Sequence, residues 1–198
     1  NLNIPIPGLH NLSNITAAIA ASRMIGVDFL EIKKNIKYLK LPKKRFEFRG
    51  QIDERDLYDD YAHHPNEIKE TIKLGRLFLN QKHNNKYKKS RLIAIFQPHR
   101  YSRVKQFTKE FAEELSKADV VYITSIYAAG EGNEEKINSK IITDLIYKQN
   151  KNVSYINNYH EITKNFYELT QKGDLILNMG AGDCHNFWSI LNTKNKLL

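Results

Sequence analysis

Three uninterrupted, largely apolar runs constrain this chain most: Leu92–Phe96, Val120–Thr124 and Leu175–Leu177. A strand with one face in water alternates apolar and polar residues. These runs do not alternate, as expected of strands covered on both faces. They are too short for helices of ordinary length. Three further segments read as strands: Phe46–Ile52, Leu57–Tyr61 and Val153–Ile156.

Between the strands lie apolar stripes at helical spacing. Residues 65–80 carry Ile68, Ile72, Gly75 and Leu79, and residues 102–117 carry Val104, Phe107, Phe111 and Leu115. Residues 138–149 carry Ile141, Ile142, Leu145 and Ile146, and residues 159–170 carry Ile162, Phe166 and Leu169. A last helix near 184–193 presents Phe187, Trp188 and Leu191. Strand and helix alternate, so the fold class expected is α/β: a mostly parallel six-stranded sheet with helices on both faces. The first two strands are close in sequence and predict a hairpin with one antiparallel edge. Residues 1–41 differ in character. Over residues 11–25, Leu12, Ile15, Ala18, Ile19 and Ile25 form one helical stripe, and a second helix begins at Asp28 with Phe29, Ile32, Ile36 and Leu39. Pro42 biases Leu41 away from helix, which places a boundary there and divides the chain into 1–41 and 42–198.

The 198 residues suit one ordinary domain, or one domain plus a piece of another. The first residues, Asn1–Pro5, lack a Met and read like the middle of something longer. No apolar run approaches a membrane span, and no leader pattern is visible. One cysteine, Cys184, excludes an internal disulfide and fits a reducing, cytoplasmic setting. The net charge is +9. Its densest basic stretch, Lys82–Arg91, has a single aromatic, Tyr87, and reads as a surface loop. Nucleic-acid binding would want basic and aromatic residues interleaved on one face, so no nucleic-acid partner is expected. A basic protein does attract anionic nucleotides and phosphates.

In a parallel sheet the strand-to-helix loops share one edge, where such folds bind ligands. Four loops belong there: 60–65, 97–103, 125–131 and 180–185. The first follows Asp59 and holds Asp60, Tyr61, His63 and His64 ahead of Pro65. Polar groups this dense are poor core material, because burying them unpaired costs several kcal/mol each; solvated turn residues are the alternative. Adjacent histidines diverge and no H-x₃-H or cysteine partner accompanies them, so no metal site is expected. In the second loop Arg100 and Arg103 sit at a helix start, an unfavourable place for cations. A bound carboxylate or phosphate would explain them, since arginine grips such groups with paired N–H donors; exposed surface ion pairs are the alternative. The glycine turn 180–182 could present N–H groups to an anion or could simply allow close packing. No G-x-x-x-x-G-K-[ST] phosphate loop occurs in the chain.

Five segments taken together resemble the C-terminal part of the Mur ligases: Pro7–Asn14, Lys44–Glu47, Asp59–Pro65, Phe96–Arg103 and Gly180–Gly182. The likeness covers nearly the whole chain and is strongest to the branch that joins L-alanine to UDP-N-acetylmuramate. It implies a Rossmann-like third domain preceded by two helices from the end of a central ATPase domain. It also implies an ATP-dependent ligase of peptidoglycan precursor synthesis, serving cell-wall biogenesis, cell shape and cell division. In that chemistry ATP phosphorylates the lactyl carboxylate of UDP-N-acetylmuramate, and the amine of L-alanine attacks the acyl phosphate.

Carried over residue by residue, the resemblance puts His10, Asn11, Asn14, Arg45 and Asp60 at ATP. It puts Tyr61, His63, His99, Arg100 and Arg103 at L-alanine, with His63, Arg100 and Arg103 catalytic. The implied partners are L-alanine, ATP and UDP-N-acetylmuramate, with Mg²⁺ in the full-length enzyme. This segment alone is expected to hold no cofactor tightly and to be inactive, because the phosphate loop and the UDP-binding domain have no counterpart in it. Ala62 departs from an expected glycine. Asp183 and Cys184 look atypical, so the glycine turn receives no catalytic role. A related ligase that adds a whole peptide to UDP-N-acetylmuramate is one alternative. It shares the D-D-Y/F-A-H-H-P form, but should lack the H-R-Y-x-R block present at 99–103. A non-catalytic module that binds an anion or nucleotide is another.

Overall fold

A computed structural model describes residues 2–82 and 90–195. The chain divides into two compact units, Asn1–Lys43 and Lys44–Leu198. The second contains a six-stranded sheet in the order β1-β2-β6-β3-β4-β5. Its strands are β1 (Glu47–Ile52), β2 (Arg55–Asp60), β3 (Leu92–Phe96), β4 (Val120–Ile123), β5 (Val153–Tyr155) and β6 (Leu175–Met179). β1 pairs antiparallel with β2, as the close spacing of these segments predicts, and all other pairings are parallel. The buried runs fall at the centre. Every residue of β2, β3, β4 and β6 is buried, whereas β5 at the edge is only partly covered.

Helices cover both faces. On one face α3 (Pro65–Lys82), α4 (Tyr101–Leu115) and α5 (Lys140–Tyr147) pack Ile68, Ile72, Val104, Phe111, Leu115, Ile142 and Ile146 against Ala94, Phe96, Val121 and Leu177. Fully burying a side chain such as Phe111 or Leu115 contributes about 1.5–3 kcal/mol. On the other face α6 (Tyr159–Lys164), α7 (Phe166–Leu169) and α8 (Asn186–Asn195) set Ile162, Phe166, Phe187, Trp188 and Leu191 against Ile93, Ile95 and Ile176. Gly75 lets α3 lie close to the sheet, since a Cβ there would come within 2.9 Å of Leu92 and 3.0 Å of Leu177.

The stripes need local correction. Residues 159–170 form two short helices, because Asn165 leaves the helical range at φ −103°, ψ 20°. Ile141 is 49 % exposed, so Ile142 and Ile146 carry the core face of α5. The interior of the basic stretch 82–91 lies outside the described residues.

In the first unit, α1 (Leu9–Met24) and α2 (Phe29–Asn35) are followed by a 3₁₀ turn, Ile36–Tyr38. Asp28 caps α2 by accepting the N–H of Leu30 at 2.7 Å. Ile15 and Ile36 are buried there, while Leu9, Leu12, Met24, Ile25, Phe29, Leu30 and Leu39 are exposed. The stripe containing Leu12, and the helix-2 stripe containing Phe29 and Leu39, are thus only partly covered.

Among the described residues no helix is long and apolar enough to cross a membrane.

Candidate functional site

The strand registers bring the loops together. Asp60 of β2 and Phe96 of β3 both lie level with Met179 of β6, and Phe96 lies level with Ile123 of β4. The loops after β2, β6, β3 and β4 therefore leave the sheet side by side.

The tract before β1 is built into this edge. Phe46 stacks on Tyr58 at 4.5 Å between ring centroids and leans on Phe78 of α3 at 5.1 Å. Lys44 and Phe46 hold positive φ, 59° and 46°, a conformation costly for side-chain-bearing residues. Asp60 helps to hold it. One carboxylate oxygen accepts the Phe46 N–H at 2.7 Å, and the other accepts the Ala62 N–H at 2.8 Å. Burial raises the Asp60 pKa, and these backbone donors oppose the shift. Asp60, implied at the nucleotide by resemblance, thus turns inward and shapes the loop. Arg45 remains half-exposed, 3.7 Å from Glu67 and 5.8 Å from the centre of the Tyr61 ring.

Next comes the histidine pair. Glu67, in the first turn of α3, accepts the N–H groups of His63 and His64 at 3.0 and 3.2 Å. A carboxylate there also suits the positive end of the helix dipole. The two imidazoles diverge, as adjacent residues should. His64 packs edge-on against Phe107 at 4.8 Å. His63 turns to the loops, 5.0 Å from Tyr61 and 5.8 Å from His99 between ring centroids. Tyr61 is 38 % exposed.

The loop after β3 supplies the cations. Arg100 has φ 71°, a strained position fixed by its N–H bond to Tyr127 O at 2.8 Å. Tyr127 donates its own N–H to Pro98 O at 2.8 Å and stacks nearly parallel on His99 at 5.5 Å. Glu131 caps α4, accepting Ser102 N–H at 3.0 Å and Ser102 Oγ–H at 2.6 Å. Those bonds, with Arg100, hold the Glu131 carboxyl below its ordinary value. Arg100 approaches Glu131 only to 3.6 Å and is half-exposed. Arg103 donates to His99 Nδ1 at 3.2 Å; among the described residues no carboxylate pairs with it. Burial lowers the His99 pKa first, and the charges of Arg103, His63 and Arg100 lower it further.

The glycine turn locks these loops to one another. Buried Gln97 donates Nε2–H to Asp183 at 2.6 Å. A Cβ on Gly182 would come within 2.5 Å of the Tyr127 ring and 2.7 Å of Gln97 Oε1. Asp59 lies beneath the sheet edge, 2 % exposed, accepting from Asn178 at 3.2 Å. Burial raises its pKa. Cys184 is buried and donates to Gly180 O, and burial pushes its thiol up to about 12, which disfavours the thiolate.

Tyr61, His63, His99, Arg100 and Arg103 are thus one cluster of aromatic, imidazole and guanidinium groups. His10, Asn11 and Asn14 belong to α1 of the first unit. Asn11 is buried and donates to Pro7 O at 2.7 Å, and Asn14 is exposed. Sequence reasoning missed Glu67, Tyr127, Glu131 and Gln97. Glu67 carried a signal, a carboxylate in the first turn after Pro65. Glu131 lay in the loop 125–131, already placed on the ligand-binding edge. The pairing of Tyr127 with His99 had none. Among the described residues no group of three or more His, Cys, Asp or Glu is arranged to hold a metal ion.

Comparison with known proteins gives the family and the fold. The profile of the family described as "Mur ligase, glutamate ligase domain" matches residues 44–182. The UDP-N-acetylmuramate–L-alanine ligase of Prochlorococcus marinus subsp. pastoris is 65 % identical over 197 residues, covering 99 % of this chain and 42 % of that protein. The chain thus spans about two-fifths of the length of the curated relatives it matches. Among solved structures, the UDP-N-acetylmuramate–alanine ligase of Thermotoga maritima superposes with TM-score 0.71 at 24 % identity, covering 98 % of this chain and 40 % of that one. A murein peptide ligase from Psychrobacter arcticus gives TM-score 0.73 at 24 % identity, covering 97 % and 38 %. At such identity these two likenesses establish the fold alone.

Proposed function

This chain belongs to the Mur ligase family through its glutamate ligase domain, and on that premise we propose that it serves an ATP-dependent ligase joining L-alanine to UDP-N-acetylmuramate. The observation that carries the reading is the pair Arg100 and Arg103 at the start of α4: among the described residues Arg103 has no carboxylate partner, and Arg100, half-exposed, has Glu131 at 3.6 Å. Their charge answers a ligand carboxylate. L-alanine brings one, and an amine that must attack a dianionic acyl phosphate needs its own carboxylate neutralised nearby. Catalysis of this kind rests on positioning and charge compensation.

In this reading Arg100 and Arg103 hold the amino acid carboxylate, Tyr61 and His99 wall its pocket, and His63 stands at the amine. Asp60 positions the loop through Phe46 and Ala62 and keeps the nucleotide-side role that the resemblance gives it. Arg45, and His10, Asn11 and Asn14 of the first unit, keep the nucleotide-side roles that the family resemblance gives them. Residues 1–41 correspond to the end of the central ATPase domain and 42–198 to the third domain. UDP-N-acetylmuramate and Mg²⁺ are bound by parts of the enzyme outside this segment, in the cytoplasm.

The test uses the full-length enzyme. ADP should form from ATP only when UDP-N-acetylmuramate and L-alanine are both present. Turnover with a tripeptide but not with L-alanine would instead identify the peptide-adding ligase. The isolated chain should hydrolyse no ATP; measurable ATPase activity in it would sink the division of labour proposed here.

A further inference from the structure

The two clustered imidazoles differ in what their Nδ1 atoms meet. His63 Nδ1 lies 2.8 Å from Tyr61 O and 3.3 Å from Glu67 Oε2. Both neighbours are acceptors, so Nδ1 carries the proton and Nε2 keeps its lone pair. His99 Nδ1 lies 3.2 Å from Arg103 NH1, a group that only donates. The His99 proton therefore sits on Nε2. The rings are 5.8 Å apart. One presents a proton acceptor at Nε2 and the other a donor.

Glu67 is built to hold this arrangement. Its Oε2 accepts the N–H of His63 and of His64, and the same oxygen faces His63 Nδ1. Arg45 stands on the other oxygen at 3.7 Å. A carboxylate behind an imidazole fixes its tautomer and stabilises the imidazolium that forms when Nε2 takes a proton. The other polar groups around His63 are the Tyr61 phenol from its own loop and His99 from the loop after β3, with Arg103 and Arg100 behind His99.

We propose that His63 accepts a proton from the ammonium group of the incoming amino acid, with Glu67 as the positioning residue behind it, while His99 stays neutral and donates Nε2–H to a substrate oxygen. This rests on the ligase reading above. An ammonium N–H bond breaks and its proton moves to His63 Nε2, leaving a neutral amine and an imidazolium. The amine lone pair then forms the C–N bond at the acyl phosphate carbon. The C–O bond to phosphate breaks with its electron pair, and a second amine proton leaves with the phosphate. One hydrogen remains on the amide nitrogen, and His63 returns its proton to solvent. General base catalysis of this kind is worth about 10²–10⁴-fold in rate.

Two measurements test this. In the ¹⁵N-labelled 198-residue chain, nitrogen NMR at alkaline pH should show His63 protonated on Nδ1 and His99 on Nε2. The opposite assignment for His63, or a rapid equal mixture, overturns the proposal whatever the enzyme's activity. In the full-length ligase, Glu67→Gln should lower kcat roughly tenfold and move the acid limb of kcat/KM for L-alanine to lower pH. KM for ATP should hold, and Glu67→Asp should restore most of the rate. A loss of rate with an unmoved acid limb marks Glu67 as a helix cap only and overturns the proposal. Failure of the unaltered enzyme to use L-alanine would refute the ligase reading instead, and would leave the tautomer result to stand or fall separately.

Discussion

The two edges of the sheet handle arginine in opposite ways. At the amino ends of the strands, Asp174 is fully buried and accepts from Arg91 Nε and NH2 at 3.2 and 2.7 Å, and also from the backbone of Arg91 and Gln171. Arg55, 5 % exposed, is held by Asp53 and Thr170, and Arg76 by Asp119 at 2.6 Å. At the carboxyl ends, Arg45 and Arg100 stay beyond 3.5 Å from their nearest carboxylates, and Arg103 faces an imidazole. The same side chain is a rivet at one edge and a loosely paired, partly exposed cation at the other. The proposed role of the carboxyl-edge arginines follows from this looser pairing.

The contrast breaks if the edges respond alike to mutation. Asp174→Ala should destabilise the chain by about 3 kcal/mol, because it leaves Arg91 and two backbone N–H groups without their acceptor. Arg103→Ala should cost under about 0.5 kcal/mol, as surface substitutions do. Urea unfolding of both variants decides the point, and equal losses would erase the distinction. Gly182→Ala should cost about 1–3 kcal/mol, since its Cβ must displace Tyr127 or Gln97. Crowding of the Tyr127–His99 stack should also weaken L-alanine use more than ATP use. A variant with full stability and unchanged KM values would remove the glycine turn from the site.

The smallest effect concerns pH. The folded chain holds His99 below its ordinary value of 6.5, so the unfolded chain takes up that proton first. Its contribution to stability is therefore complete above about pH 6.5 and is lost as pH falls further. His99→Asn should slightly reduce the drop in melting temperature between pH 7 and pH 5. An unchanged drop would mean that Arg103 does not depend on a neutral His99.

Much of this was legible in residues. The unbroken run Leu92–Phe96 marked a central strand because no exposed face could tolerate it, and the 3.6-residue stripe Val104–Leu115 named the core face of α4. The polar loop 60–65 and the arginines at a helix start marked the carboxyl edge as a candidate site. What stayed hidden depends on which loop meets which. Periodicity assigns faces but not neighbours, so the Tyr127–His99 stack, the Phe46 wedge and the Gln97–Asp183 bond had no local signal. Asp60, implied at a ligand by resemblance, also accepts the backbone N–H groups of Phe46 and Ala62, contacts that a sequence does not encode. In the first unit, Leu9 and Met24 are apolar yet exposed.

The central claim is that the carboxyl-edge arginines hold the amino acid carboxylate. Steady-state kinetics of Arg100→Ala and Arg103→Ala in the full-length enzyme test it directly. Loss of a charge-assisted, forked contact should raise KM for L-alanine by roughly 10–100-fold while KM for ATP stays within about twofold. Equal rises for both substrates, or no rise for L-alanine, would contradict the account.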